Sequence, residues 1–438
     1  MTMNTPVINT LTTHGSLKSQ LCWLRSGCTA ALMVLASGCQ LLDMASFSYA
    51  NANSTHHWAT DARTTTVAFT MVDNHIILPV SINGSEPLNF VLDSGAGATV
   101  IIESDRTRAL PLELGAEMAV SGVGTGPDPV ARVVKEVDLS LGDIRLLGQS
   151  VIYLPLASIP FFDDLDDVYF DGLVGYPFFR RFVITIDYDK QLISFSEPTT
   201  AGVELDQFSD AWQELPLQIQ SNVPYVAAQV RTGSEQTVAV KLLVDTGYRG
   251  PISLTPSTHD ELEEPVEYFP AVSQGLSGDV ESRVAMAEFL TLGSYRLNKL
   301  PVSYEISGGE SDDDSNGLLG NEVLSRFNLV FDYPNERLFL SPNQRFSVPL
   351  VADRSGLQVR PHRSGGIIKN IAQGSTGEAS DIQVGDIITS FDDTPVTPVT
   401  IGELKRALGS GQDTLRLCWL SGDQSRCEDL KLASRFSE

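Results

Sequence analysis

Positive charge is scarce in this chain. Its 30 Lys and Arg stand against 55 Asp and Glu, a formal net charge of −25. Nothing in such a balance neutralises a row of phosphates, so nucleic acid is excluded as a partner. Cysteine is scarce too: there are five in 438 residues, and Cys22, Cys28 and Cys39 fall in the first forty. That excludes a scaffold held by many disulfides. After residue 40 no apolar run is long enough to cross a bilayer as a helix. Several catalytic signatures are also missing. There is no His-Glu-x-x-His, no Gly-x-Ser-x-Gly and no glycine loop ending in Lys-Ser or Lys-Thr. The acidic run Asp163-Asp164-Leu165-Asp166-Asp167 reads as a solvated loop. Asp312-Asp313-Asp314-Ser315-Asn316-Gly317 begins like a calcium loop, but its twelfth position is Val323 where a Glu is needed. No metal and no cofactor are expected.

What is present starts with a targeting segment. Lys18 and Arg25 make a sparse positive region, and Cys28 to Ala36 is apolar but too short to span a membrane. It runs into Leu35-Ala36-Ser37-Gly38-Cys39, which resembles the lipobox of bacterial lipoprotein signals. That resemblance implies cleavage before Cys39 and a lipid on its thiol, hence a lipid-anchored protein of the bacterial cell envelope facing the periplasm. Ala36 stands where Leu is commoner, and a plain secretory signal with an incidental Cys39 is the other reading. Residues 1–39 are therefore set aside as signal. Residues 40–66 are polar and read as a flexible tether, with His56 and His57 as surface residues. Cys418 and Cys427 are then the thiols of the mature body. A two-residue Gly422-Asp423 turn would put them opposite each other as a disulfide, and two separate thiols is the alternative.

The body, too long for one core, contains a repeat. One copy runs through Ile76-Ile77-Leu78-Pro79-Val80, an Asn83-Gly84 turn and Leu88-Asn89-Phe90-Val91-Leu92 into Asp93-Ser94-Gly95-Ala96. The other runs through Tyr225-Val226-Ala227-Ala228-Gln229-Val230, a turn around Gly233 and Val238 to Val244 into Asp245-Thr246-Gly247-Tyr248. Downstream, Gly172-Leu173-Val174-Gly175 leads to Ile184-Thr185-Ile186-Asp187-Tyr188, and Gly317-Leu318-Leu319-Gly320 leads to Leu329-Val330-Phe331-Asp332-Tyr333. Short runs of Val, Ile, Leu and Phe between Gly, Pro, Asn and Asp predict strands, with short helices only after Gly175 and Gly320.

An Asp at a strand end, followed by a small hydroxyl and a Gly, suits a catalytic turn. The glycine lets the backbone approach its neighbour, and the hydroxyl can tie the loop. Two such loops brought together would place two carboxylates so close that both cannot stay ionised. Here the chain resembles the retropepsin-like and pepsin-like aspartic proteases, over roughly residues 67 to 342. The resemblance rests on Asp93-Ser94-Gly95-Ala96, Asp245-Thr246-Gly247, Leu173-Val174-Gly175 and Leu318-Leu319-Gly320. It implies a mainly β fold with two homologous barrel lobes, residues 67–200 and 201–344, forming a bilobal unit. Asp93 and Asp245 would be catalytic, while Ser94, Gly95, Thr246 and Gly247 would support them. The glycine-rich hairpins 121–126 and 273–278, with Gly122, Gly124, Gly275 and Gly278, would lie where flaps close over substrate. Tyr248-Arg249 departs from the Ala or Ser usual after the second Asp-Thr-Gly, which leaves the shape of that half-site open.

From 345 to 435 the pattern changes to strands around a helix at Ile401 to Leu408. Gly356-Leu357-Gln358-Val359, Gly366-Ile367-Ile368 and Val384-Gly385-Asp386-Ile387-Ile388 resemble an α+β PDZ domain of bacterial envelope proteases. Such a domain adds a C-terminal or extended peptide as a strand, with its carboxylate held near residues 355–359. The expectation is an envelope aspartic endopeptidase acting on proteins or peptides, and the alternative is a peptide-binding scaffold on a protease-derived fold.

One prediction concerns the anchor. Cys39→Ser is expected to release the protein from membranes or to block signal processing. Fractionation with labelled palmitate checks it, and an unlabelled wild-type protein that stays membrane-bound would refute it.

Overall fold

The computed structural model describes residue 47 and residues 49–162, 164–199, 202, 211–233, 236–308 and 315–436. The signal segment with Lys18, Arg25, Cys22, Cys28 and Cys39 lies outside the described residues, as do Asp163 and Asp312 to Asp314. Of residues 1–52, a separate unit, those described are helical, and residues 53–438 form one compact unit.

The repeat folds as two similar lobes because each copy makes the same hairpin. Asn83 and Gly84 both have positive φ (49° and 79°), as a two-residue turn between twisted strands requires. His75–Ile82 is thereby returned onto Leu88–Leu92, with Ile77 opposite Val91 and Val80 opposite Leu88. In the second copy Val223–Arg231 pairs with Thr237–Asp245, Tyr225 opposite Leu243 and Arg231 opposite Thr237. Along Thr237–Asp245 the side chains alternate in burial and then become continuously buried at Leu242, Leu243 and Val244, as in a strand entering the middle of a sheet.

A third strand from far downstream then enters each hairpin. Gly172–Val174 runs parallel beside Leu88–Leu92, and Gly317–Gly320 runs parallel beside Thr237–Asp245. Only glycine fits at the start of each: a Cβ on Gly172 would lie 2.3 Å from the Phe90 ring, and one on Gly317 would lie 2.0 Å from the Ser253 carbonyl oxygen. Pairing of Val130–Leu141 with Ile144–Leu154 closes the first lobe's sheet on itself. A bridge from Ile252 to Leu319 closes the second. Closure removes the exposed edges that an open sheet would present.

The lobes are joined by a six-stranded sheet drawn from both: Gln213–Pro216, Arg337–Pro342, Phe327–Asp332, Val183–Asp187, Leu192–Ser196 and Thr64–Ala68, in that order. At its centre Ile184 faces Phe331, Thr185 faces Val330 and Ile186 faces Leu329. Thr185 and Val330 hold the same place in the two repeats, so an approximate two-fold axis passes between them. A single apolar core runs through both lobes, with Phe178, Phe179, Phe182, Phe327 and Phe331 all fully buried. Residues 357–431 have their own core around Trp419, Ile388, Leu404 and Val359 and their own sheet, ordered Leu357–His362, Gly365–Ile371, Ile387–Phe391, Thr414–Ser421, Gln424–Lys431.

The molecule is mainly β, as the sequence predicts. The short helices Tyr176–Phe179 and Asn321–Leu324 follow Gly175 and Gly320, and Ile401–Leu408 is helical. The tether is shorter than its composition suggests. His56–Trp58 pairs with Ile144–Leu154 and Thr64–Ala68 with Leu192–Ser196. The Thr residues of an edge strand are good strand formers that look like linker. His56 is not surface decoration either, for its ring packs against Phe182, and Trp58 Nε1–H donates to Glu197 at 2.6 Å.

Cys418 and Cys427 are directly opposed and form a disulfide across the Gly422-Asp423 turn. It closes a loop with a sequence separation of 9, for which chain entropy predicts about 2 to 3 kcal/mol of stabilisation. Replacing both cysteines by serine is expected to lower the unfolding free energy of residues 345–435 by that order and to leave the lobes intact, as checked by denaturant melts of variant and wild type.

Candidate active site

Both strand ends deliver their Asp to the same place for the same reason. The Asp93 amide donates to the Val174 carbonyl, and the Asp245 residue is paired with Gly320 in the parallel register. Behind each loop the backbone is crowded: a Cβ on Gly175 would lie 2.1 Å from the Ala96 carbonyl oxygen, and one on Gly320 would lie 2.1 Å from that of Gly250. The Leu-Val-Gly and Leu-Leu-Gly segments thus support the two Asp loops from below.

Ser94 and Thr246 lock the loops together by reciprocal bonds. The Ser94 hydroxyl donates to the Val244 carbonyl at 2.6 Å, and the Thr246 hydroxyl donates to the Leu92 carbonyl at 2.7 Å. Each hydroxyl also accepts the other residue's amide, Ser94 N–H to Thr246 Oγ1 at 2.9 Å and Thr246 N–H to Ser94 Oγ at 3.0 Å. Both residues are fully buried. Four satisfied bonds away from water fix the separation of the loops far better than exposed ones would.

Asp93 and Asp245 meet over this brace. A Cβ on Gly95 would lie 2.9 Å from Asp245 Cγ, and one on Gly247 would lie 2.6 Å from Asp93 Cγ. Each glycine is therefore the gap through which the other lobe's carboxylate passes. The two carboxyl groups are close enough for the charge of one to act on the other. The Gly95 amide donates to Asp93 Oδ1 at 2.9 Å, while the Gly247 and Tyr248 amides donate to Asp245 Oδ1 at 2.7 and 3.0 Å. Burial raises the pKa of Asp93. Burial and then the neighbouring Asp93 charge raise that of Asp245 well above the carboxylate range. Both keep some surface open to solvent. A carboxyl pair that retains one proton after the other has left is equipped for acid and base work together.

A turn from the first lobe steadies the second Asp loop, and the sequence reading missed it. Asp73 and Asn74 both have positive φ (49° and 66°). Asn74 Nδ2 donates to the Arg249 carbonyl, and Asn321 Nδ2 donates to the Asn74 carbonyl. Asp73 forms ion pairs with Arg249 and with Lys405 of the helix Ile401–Leu408. Burial alone would raise the Asp73 pKa, but Lys405 and Arg249 outweigh it and hold it at about 2. Arg249, an unusual residue after Asp-Thr-Gly, is thus committed to Asp73.

His75 completes this contact. Burial lowers its pKa to about 3, so it is neutral, and its ring lies between the Gly247 carbonyl (Nε2, 2.8 Å) and the Tyr169 hydroxyl (Nδ1, 2.9 Å). A carbonyl only accepts, so Nε2 carries the proton and Tyr169 donates to Nδ1. The Asp-Asn pair between two strands is a turn signal, but its partner in the other lobe leaves no trace in local sequence.

The glycine runs differ from each other. Gly275 and Gly278 close a hairpin between Phe269–Gly275 and Gly278–Leu292. Gly122 and Gly124 lie in the longer connection, residues 120–129, of a second hairpin, in which Glu117–Ala119 pairs with Val130–Leu141, Ala119 opposite Val130. The two runs nevertheless meet. Ser277 N–H donates to the Val123 carbonyl at 2.9 Å, Gly126 N–H to the Ser277 carbonyl at 2.6 Å and Thr125 N–H to the Asp279 carbonyl at 3.0 Å.

Near residue 356 the backbone amides are occupied. Asp353 accepts from the Ser355 amide at 3.1 Å and the Gly356 amide at 2.7 Å, and Ser355 Oγ accepts from the Leu357 amide at 3.0 Å. Gln358 Nε2 reaches the Val272 carbonyl at 3.1 Å. Val359 is buried in the domain core. Among the described residues no group of His, Cys, Asp and Glu is arranged to hold a metal ion.

His75 has a consequence for stability. A histidine kept neutral by the fold binds fewer protons than in the unfolded chain, so stability falls as pH drops from 6.5 towards 3, by up to about 1.4 kcal/mol per unit for one group. His75→Gln, whose amide can still donate to Gly247, is expected to flatten that fall between pH 6 and 4. Urea unfolding over this range measures it, and an unchanged slope would refute the assignment.

No curated protein matches the chain. Two of its segments, residues 78–178 and 228–323, each match the family model described as aspartyl protease, so the two repeats that bring Asp93 and Asp245 together are each similar to that family.

Proposed function

We propose that the protein is an aspartic endopeptidase in which Asp93 and Asp245 act as one dyad. A single observation carries the reading: two Asp-Ser/Thr-Gly loops, braced by Ser94 and Thr246, bring two carboxyl groups together, each over the other loop's glycine, at a solvent-reachable point. The ionised member takes a proton from a water, whose oxygen adds to the scissile carbonyl carbon. The protonated member gives its proton to the carbonyl oxygen. The tetrahedral intermediate then collapses: its C–N bond breaks, the nitrogen takes the dyad's proton, and a hydroxyl of the intermediate gives its proton to the dyad as it becomes the carboxyl carbonyl, which restores the one-proton state. The joined loops around Val123 and Ser277 are read as the roof of the cleft, with substrate lying extended beneath them.

The C-terminal domain resembles a PDZ module, and we read it as a peptide-binding element. Its strand Leu357–His362 ends the described sheet, so one edge is free to pair with an added chain. The segment ending at Cys39 supports a lipid anchor and a place in the bacterial envelope.

Both carboxyl pKa values lie above the ordinary 3.8, so the one-proton window opens above that value and extends upward. Peptide turnover is expected to rise as pH climbs through the first ionisation of the pair and to fall through the second. Asp93→Asn and Asp245→Asn should each lower kcat by roughly 10²- to 10⁴-fold with the fold retained. Stability gives an independent sign. A carboxyl whose pKa is raised by folding loses stability as pH rises from 3.8 through the raised value, so Asp245→Asn should melt higher than wild type at neutral pH. A variant that cleaves at the wild-type rate would remove that residue from the mechanism.

A further inference from the structure

The amides that would hold a peptide's terminal carboxylate already hold a carboxylate of this chain. The amides of Ser355 and Gly356 both donate to the Asp353 carboxylate, at 3.1 and 2.7 Å, and the Ser355 hydroxyl donates to it at 2.6 Å. The remaining partner of Asp353 is Arg435, whose Nη1 donates to Oδ2 at 3.0 Å. Through Nη2 the same guanidinium reaches the Pro270 carbonyl at 3.4 Å, and its Cζ lies 3.8 Å from the centre of the Phe269 ring. The Phe436 ring packs on Phe269 at 5.1 Å.

Phe269 and Pro270 begin the strand that leads to the Gly275–Gly278 turn. On one side that strand is paired with Gly278–Leu292, Pro270 opposite Arg283 and Val272 opposite Glu281. On the other side the carbonyls of Pro270 and Val272, two residues apart and so on the same edge, accept from Arg435 and Gln358. Gln358 belongs to Leu357–His362, the strand beside which an added peptide would run. One short chain of contacts therefore links the carboxylate-holding amides, through Asp353 and Arg435, to the strand that carries Ser277 to its meeting with Val123.

We propose that Asp353 and Arg435 form a latch by which the C-terminal domain holds the second glycine hairpin against the first, and that the free carboxyl end of a peptide opens it. This rests on reading the glycine loops as the roof of the cleft and the C-terminal domain as a peptide binder. The incoming carboxylate has the charge and the acceptor geometry of Asp353 and competes for the Ser355 and Gly356 amides. An added strand also needs the space that the Gln358 side chain spans to reach Val272. Losing both contacts leaves the outer edge of Phe269–Gly275 unsupported, and the hairpin tip with its bonds to 123–126 opens.

The test uses the full chain, wild type beside Arg435→Ala and Asp353→Asn. Hydrogen exchange is followed over residues 269–279, with and without mixed-sequence octapeptides carrying either a free or an amidated carboxyl end. Arg435→Ala is expected to speed exchange in that segment about tenfold or more at an unchanged melting temperature, and Asp353→Asn to do so less. Free-carboxyl peptides should produce the same change in wild type and add nothing in Arg435→Ala, while amidated ones stay silent. Turnover of a quenched-fluorescence peptide should rise in step. Exchange that ignores Arg435→Ala, or amidated peptides that act as well as free ones, would overturn the latch. Exchange that responds as expected in a protein that cleaves nothing would keep the latch and sink the proteolytic reading.

Discussion

Two like charges have to be held against each other, and the architecture around Asp93 and Asp245 answers that requirement. Burial and mutual repulsion push the pair apart or force a proton onto it. The answer is mechanical: the Ser94 and Thr246 hydroxyls each bond to the backbone of the opposite lobe, and the six-stranded sheet fixes the lobes with Thr185 facing Val330. Glycine at 95 and 247 then leaves room for the carboxylates to pass. Remove the brace and the loops part. Add a side chain at either glycine and the carboxylate opposite must move.

How much of this is legible in the sequence depends on whether the information is local or repeated. The Asp loops, the Leu-Val-Gly and Leu-Leu-Gly supports and the short helices after Gly175 and Gly320 are all readable, because each appears twice in matching order. The disulfide is readable because a two-residue turn fixes which positions face each other. The contact of Asp73, Asn74 and His75 with residues 247–249 is not, since its partners are more than a hundred residues apart and occur on one side only. Both glycine hairpins are readable, but the meeting of the loop around Gly122 with residues 277–279 is a contact between distant segments that local sequence does not carry. Around Gly356 the bonds of Asp353 to the amides of residues 355 and 356 are local, whereas its pairing with Arg435 is a tertiary fact.

The pair Asp73 and Arg249 would be a poor investment if stability were its only effect. A buried ion pair gains little over apolar packing once desolvation is counted, but breaking it by removing one partner costs several kcal/mol. Such a contact specifies one arrangement. Here it specifies where the loop that carries Asp245 sits relative to the first lobe, and Lys405 extends the specification to the helix Ile401–Leu408. The C-terminal domain is therefore tied to both lobes, to Asp73 of the first by Lys405 and to the glycine hairpin of the second by Gln358 and Arg435.

This asymmetry bears on why both half-sites lie in one chain. In the first lobe the turn Asp73-Asn74 touches residues 247–249 with a charged pair and several hydrogen bonds. The turn at the same place in the second lobe, Ser221-Asn222, also has positive φ at both residues (48° and 72°) and also lies against the opposite Asp loop, with Asn222 Cβ 3.7 Å from where a Cβ of Gly97 would be. It carries no charge. A symmetric pair of identical chains would have to repeat the Asp73–Arg249 pair on both sides, because an isologous interface gives each contact twice. Duplication within one chain lifts that constraint. One half-site keeps only the brace and the glycine approach, and the other is free to acquire Asp73, Arg249 and Lys405 and, through them, a connection to a domain outside the repeat.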